Sequence, residues 1–184
     1  RLTLHVNAAR SEAGCRMDIL EKFLSGDAYL VWEACSELKE LRCEEELLRL
    51  AAHTNKIEKT TKNIFDGDGP GLLSNYYHLK FALRKLKFVR DDIGCLCELY
   101  PHNMFFNPNK EAEKGFVVIK EKTTDAKNWT ADYRCQCIAC GNEFKIEQGE
   151  YHYTWYNWTN LSSPKRKPPA TLIKRVINYV RRRL

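Results

Sequence analysis

Five of the eight cysteines in this 184-residue chain fall into two short clusters, and their spacing restricts the fold more than any other feature. The first cluster reads CLC at 95–97, and the second reads CQCIACG at 135–141. Two residues between cysteines let both sulfurs reach one ion at about 2.3 Å, and a following glycine permits a tight turn. Tetrahedral zinc needs four ligands. The spacing therefore predicts a Zn²⁺ site with these candidate ligands: Cys95, Cys97, Cys135, Cys137 and Cys140.

Two other interpretations of the cysteines stay open at this point. An even cysteine count and three N-x-[ST] sequons, at Asn128, Asn157 and Asn160, would suit a secreted protein with a disulfide framework. Cysteines one residue apart cannot pair without strain, which argues against that framework. The thiols could also be unligated. We expect this for three cysteines that lie on predicted helices without ligand spacing, namely Cys15, Cys35 and Cys43.

The stretch YRCQCIAC at 133–140 resembles the post-SET cysteine cluster of SET-domain lysine methyltransferases. In that family, three closely spaced cysteines and one distant cysteine hold zinc beside the active site. The resemblance therefore implies a three-plus-one arrangement in which Cys95 or Cys97 is the remote ligand. The N-H-S-C-type motif of the family is absent upstream, so the resemblance does not extend to methyltransferase activity.

Positive charge is concentrated at the C-terminus. Residues 165–184 carry a net charge of +8 and no acidic residue, whereas the whole chain carries +6, so the first 164 residues carry −2. Such asymmetry is typical of a protein that binds a polyanion or carries an import signal. The compact cluster PKRK at 164–167 fits a nuclear-localisation signal. The predicted nucleic-acid-binding residues are Lys165, Arg166, Lys167, Lys174, Arg175, Arg181, Arg182 and Arg183.

The apolar pattern predicts an α+β protein in three parts. Residues 1–100 form a helical domain, in which three- and four-residue apolar spacing predicts helices over 11–24, 28–53, 55–65 and 72–90. Residues 101–163 carry short aromatic and β-branched stretches between turn formers, which predicts a small β-rich module stapled by zinc. Residues 164–184 follow as a basic linker and an amphipathic helix. The apolar stripe of that helix is Leu172, Ile173, Val176, Ile177 and Val180.

The aromatic residues of the β-rich module have two possible roles. We expect most of them to form its core. Alternation in YHYTW at 151–155 would put Tyr151, Tyr153 and Trp155 on one strand face. If that face were exposed, the rings would make a stacking platform for single-stranded bases.

The sequence contains no familiar catalytic motif and no apolar run approaching the roughly 18 residues of a membrane span. A zinc ion held by four cysteines has no open position and is structural. We therefore predict a non-enzymatic, zinc-binding nuclear factor that binds DNA or RNA, or chromatin, and docks a protein partner. We expect no association with membranes. The alternatives are a protein–protein module whose C-terminal helix enters a partner groove, and a secreted disulfide-bonded glycoprotein.

Overall fold

Helices come first and a β-sheet follows in the part of the chain that the computed structural model describes, residues 17–67 and 74–162. The helices are α1 (Ile19–Leu24), α2 (Ala28–Glu40), α3 (Glu44–Ala52), α4 (Thr54–Thr61), α5 (Asn75–Arg90), a 3₁₀ helix (Leu96–His102) and α6 (Pro108–Glu113). The strands are β1 (Val117–Asp125), β2 (Thr130–Cys137), β3 (Glu143–Glu150) and β4 (Thr154–Asn160). The predicted α+β class is therefore confirmed.

Several predicted features fall outside the described residues. These are the linker and helix at 164–184, the start of the helix predicted over 11–24, and Cys15. Among the described helices, none has both the length and the apolar composition that a membrane crossing requires.

The helix predicted over 28–53 is interrupted between α2 and α3. Helix α2 ends at Glu40, and α3 starts at Glu44. The carbonyl groups at the end of a helix have no partner within the helix and need a donor from elsewhere. Here the buried Lys85 ammonium on α5 supplies it, donating to the carbonyl oxygens of Leu38 at 2.7 Å, Lys39 at 3.2 Å and Leu41 at 2.7 Å.

Burial lowers the pKa of Lys85 to about 7, and the nearby charge of Arg42 contributes to the same shift. A cation is buried at this position because it can donate to three carbonyl oxygens at the negative end of a helix dipole. The interruption between α2 and α3 is thus a docking point for α5.

The four strands form one antiparallel sheet in the order β1-β2-β3-β4. Alternate residues of β2, β3 and β4 are buried, as expected for a sheet with one covered face. The aromatic core predicted for this module is present. Its buried aromatic residues are Tyr133, Phe144, Tyr156 and Trp158.

The strand predicted over YHYTW starts later than expected. Residues 151–153 form a bend, and β4 starts only at Thr154, so Tyr151, Tyr153 and Trp155 do not share a strand face. Trp155 instead lies across Gly149 on the neighbouring strand. A Cβ at Gly149 would clash with the indole ring of Trp155, so any larger residue here would force the ring to move.

The helices and the sheet enclose two apolar clusters that meet along α5. Leu79, Ala82 and Leu86 enter the cluster formed with the other helices. Phe81 and Phe88 enter the cluster formed with the sheet and the 3₁₀ helix. The 3₁₀ helix spans residue 100, where the boundary between two domains was predicted, and that division stays a prediction.

A buried ion pair also joins the two halves. Glu111 on α6, whose side chain is 3% exposed, accepts from Arg42 at 3.2 Å and from the Tyr100 hydroxyl at 2.8 Å. The Arg42 guanidinium lies over the ring of Phe116, 4.9 Å from its centre. Because each charged group here has a partner, the attraction and the hydrogen bonds offset the desolvation penalty of burying the ion pair.

We expect Lys85→Met to lower the free energy of unfolding by about 2–4 kcal/mol, because buried carbonyl groups lose their donor. Urea denaturation followed by circular dichroism measures this change. Lys80→Met is the matched control, since Lys80 is exposed on the same helix and its loss should cost less than about 0.5 kcal/mol. Equal stabilities for the two variants would contradict the proposed role of Lys85.

Candidate metal centre

Four cysteine sulfurs converge where the 3₁₀ helix meets the turn between β2 and β3. They belong to Cys95, Cys97, Cys137 and Cys140, and all four lie within 4.8 Å of one another. The sulfurs of Cys95 and Cys137 are 3.7 Å apart, and those of Cys97 and Cys140 are 3.4 Å apart. Tetrahedral ligands at about 2.3 Å from an ion are about 3.8 Å from each other. The cluster therefore has the size of a four-thiolate metal site and could hold a metal ion.

The turn between β2 and β3 positions two of these sulfurs by local geometry. Cys137 ends β2, and the carbonyl oxygen of Cys137 accepts from the amide of Gly141 at 2.9 Å. Gly141 has φ +77°, a conformation that favours glycine. The amides of Ala139 and Cys140 both donate to the Cys137 sulfur. Such N–H···S bonds stabilise a thiolate, as a metal ligand requires.

The other two sulfurs come from a sharp bend at the start of the 3₁₀ helix. Cys95 is extended, with φ −78° and ψ 139°, and caps the helix in which Cys97 lies. The amide of Cys97 donates to the sulfur of Cys95. The side-chain amide of Asn142 points at the Cys97 sulfur from 3.9 Å. The backbone changes from extended at Cys95 to helical at Cys97, and this bend lets the two sulfurs face the same point.

Three of the four thiols interact strongly with one another. Hydrogen bonding with Cys137 raises the pKa of Cys97 and of Cys95. Donation from Cys95 and Cys97 in turn lowers the pKa of Cys137. A divalent ion would allow all four groups to be deprotonated, because its charge compensates their mutual repulsion.

Cys135, the fifth candidate ligand, lies outside the four-cysteine cluster, so the structure does not bring it together with the other four. It is on the same face of β2 as Cys137, but residues two apart in a strand are about 6.5 Å apart. Cys135 packs in the sheet core opposite Phe144, and burial raises its pKa to about 11. The observed arrangement is therefore two plus two, and it differs from the three-plus-one arrangement that the post-SET resemblance implied.

The remaining described cysteines lie outside the cluster. Cys35 is buried among the helices, and burial raises its pKa to about 12. Cys43 is exposed at the start of α3. None of the seven cysteines in the described ranges forms a disulfide.

The predicted nucleic-acid-binding residues cannot be placed against this site, because they lie outside residues 17–67 and 74–162. They are Lys165, Arg166, Lys167, Lys174, Arg175, Arg181, Arg182 and Arg183.

Comparison with protein-family models, with curated proteins and with solved structures gave no match for this chain.

We expect purified protein to hold one metal ion per chain, and Cys140→Ser to lose most of it after dialysis against a mild chelator. Elemental mass spectrometry with a protein assay measures the ratio. Cys135→Ala is the matched control and should keep its metal, because its sulfur lies outside the cluster. Loss of metal from Cys135→Ala, with the fold retained, would contradict the two-plus-two assignment.

Proposed function

We propose that this protein is a non-enzymatic zinc-binding factor of the nucleus that binds nucleic acid or chromatin through its basic C-terminus and docks a protein partner. The observation that carries the proposal is the cluster of four sulfurs at tetrahedral spacing, drawn from two separate segments. Four protein ligands leave a metal no open position for substrate or water, which is the arrangement of structural sites.

Zinc is the metal that the ligand set favours. Soft thiolates in a tetrahedral arrangement select zinc or iron, whereas magnesium and calcium require oxygen ligands. Zinc undergoes no redox change and is stable as a structural ion. When bound, it would supply a positive charge that fixes the 3₁₀ helix against the turn between β2 and β3.

The surroundings of the cluster support a structural role. A cleft of about 480 Å³ borders Cys95, Cys97 and Cys137, and most of the other side chains that line it are apolar. Three of its lining side chains are charged, Arg42, Glu44 and Asp92, and Arg42 is paired with Glu111. The described lining residues include no histidine. A mainly apolar wall beside four cysteine ligands suits a structural metal site.

The charge distribution supports a polyanion ligand that is bound by the C-terminal segment and not by the sheet. The open face of the sheet carries more acidic than basic residues. By register, its acids are Glu121, Asp125, Asp132, Glu143 and Glu147, and its bases are Arg134 and Lys145. A phosphate backbone would be repelled by this face, whereas the +8 charge of residues 165–184 would attract it.

Two aromatic rings at one end of the sheet offer a further contact for unpaired bases. Trp129 in the β1–β2 turn is 76% exposed, and Tyr151 in the β3–β4 turn is 78% exposed. Both turns lie at the end of the sheet opposite the cysteine cluster. Exposed rings of this kind can stack on bases in single-stranded nucleic acid.

We expect binding of a labelled oligonucleotide to weaken steeply between about 50 and about 200 mM salt, because bound phosphates release counterions. Replacing Arg181, Arg182 and Arg183 by glutamine should weaken binding at least about tenfold and reduce the salt slope by about 2–3. Fluorescence anisotropy with duplex DNA and single-stranded RNA gives both values.

The matched control replaces three exposed lysines around α4, Lys56, Lys59 and Lys62, by glutamine, which removes the same charge. Binding that is independent of salt, or that falls equally in the control, would rule out the C-terminal phosphate contact. The protein–protein alternative makes the opposite prediction: Val176→Asp would abolish partner binding while neutralising the arginines would matter little.

A further inference from the structure

A groove of about 600 Å³ runs along the outer side of α5 and is lined by none of the four cluster cysteines, although Ile93, Glu98 and Leu99 in its wall lie close to Cys95 and Cys97 in sequence. Its floor is apolar and consists of Leu79, Leu83, Phe88 and Leu99. Two apolar side chains stand exposed beside it, with Tyr76 at 55% and Ile93 at 52%. Apolar side chains exposed around a groove are a feature of binding surfaces.

The rim of the groove on the α5 side is cationic. Lys80 and Arg84 are exposed and one helical turn apart, and within the described ranges no carboxylate pairs with either. Lys87, the next cation along, is paired with Glu58 at 2.6 Å. Burial lowers the pKa of His102 across the groove, and the charge of Arg84 adds to that effect. Lys80 and Arg84 are therefore the cations that a ligand could engage.

We propose that this groove binds an acidic amphipathic helix of a partner protein. Apolar side chains on one face of such a helix would cover the floor together with Tyr76 and Ile93. Carboxylates four residues apart would then reach Lys80 and Arg84, because residues four apart in an α-helix are about 6 Å apart along one face. The inference rests on the proposed function in one respect: it gives the partner docking of that function a surface and a chemistry.

Polarity favours this ligand over nucleic acid. The groove lining also contains Glu58, which pairs with Lys87, and Glu98, so an acidic helix must place its carboxylates against Lys80 and Arg84. An apolar floor gains free energy from burying leucine-like side chains and gains little from hydrated phosphates. The groove volume lies within the range of about 300–1,000 Å³ that is usual for specific sites.

The test uses the full chain with zinc bound and a fluorescein-labelled peptide of about 16 residues, long enough to form a helix. The peptide carries leucines at spacings of three and four residues, with glutamates on the flanks. A second peptide has lysine at each glutamate position. Anisotropy should show saturable micromolar binding of the acidic peptide and at least about tenfold weaker binding of the basic one.

Two variants at exposed positions locate the binding site. Arg84→Glu and Ile93→Asp should each weaken binding of the acidic peptide at least about tenfold, with the melting temperature unchanged. Two controls carry the same chemical changes away from the groove. Lys127→Glu lies in the β1–β2 turn and Leu161→Asp follows β4, and both should change affinity less than about twofold.

Three outcomes would overturn the inference: no saturable binding, equal binding of both peptides, or equal losses in the groove variants and their controls. Preferential binding of a labelled oligonucleotide that depends on Arg84 would overturn it as well, because the groove would then be a phosphate site. The proposed function is tested separately by the variant in which the arginines at 181–183 are replaced. Neutralising them should leave peptide binding unchanged, so failure at the groove and failure at the C-terminus can be told apart.

Discussion

Four cysteine sulfurs are held close together, and as thiolates they would repel one another. The structure of the second half of the chain depends on how that repulsion is compensated. The two pairs that meet are separated by 42 and 43 residues in sequence. A divalent ion would relieve the repulsion and close that long loop at the same time, so its binding free energy would become folding free energy. The 3₁₀ helix that follows Cys95 delivers Leu99 and Tyr100 to the core of the sheet. Metal binding would therefore be coupled to helix placement and core packing.

A second constraint is the burial of charged groups at the junction of helices and sheet. Lys85 satisfies carbonyl groups at the end of α2, and Arg42 with Glu111 joins the segment after α2 to α6. Each charge has partners, which is the condition under which burial is tolerated. Such partners also fix orientation, since a buried donor that loses its acceptor costs about 1–3 kcal/mol. Together these contacts hold α5 between the two apolar clusters and leave its opposite side, with Lys80 and Arg84, facing solvent.

The sequence was informative where the determinants are local. The Cys137-x-x-Cys140-Gly141 turn was predicted because its geometry is set within five residues. The β-rich character of the second half was predicted because its short aromatic and β-branched stretches are separated by turn formers. The position of Cys135 outside the cluster was not predictable from spacing. It follows because Cys135 and Cys137 lie on one extended strand, which separates residues two apart by about 6.5 Å. The break after α2 was missed because the Lys85 ammonium that satisfies its carbonyls lies up to 47 residues away. Helix α6 was also missed, although Asn107 before Pro108 is an ordinary helix start.

We propose three separate roles: the metal stabilises the fold, the C-terminal cations bind phosphates, and the groove along α5 binds a partner protein. The structural role depends on the metal being held by cysteine alone, because an open position on the metal would allow catalysis. X-ray absorption at the zinc edge on the purified protein measures this directly. We predict four sulfur neighbours at about 2.3 Å and no lighter scatterer in the first shell. A spectrum with one or more oxygen or nitrogen ligands, or with no zinc signal in folded protein, would contradict it.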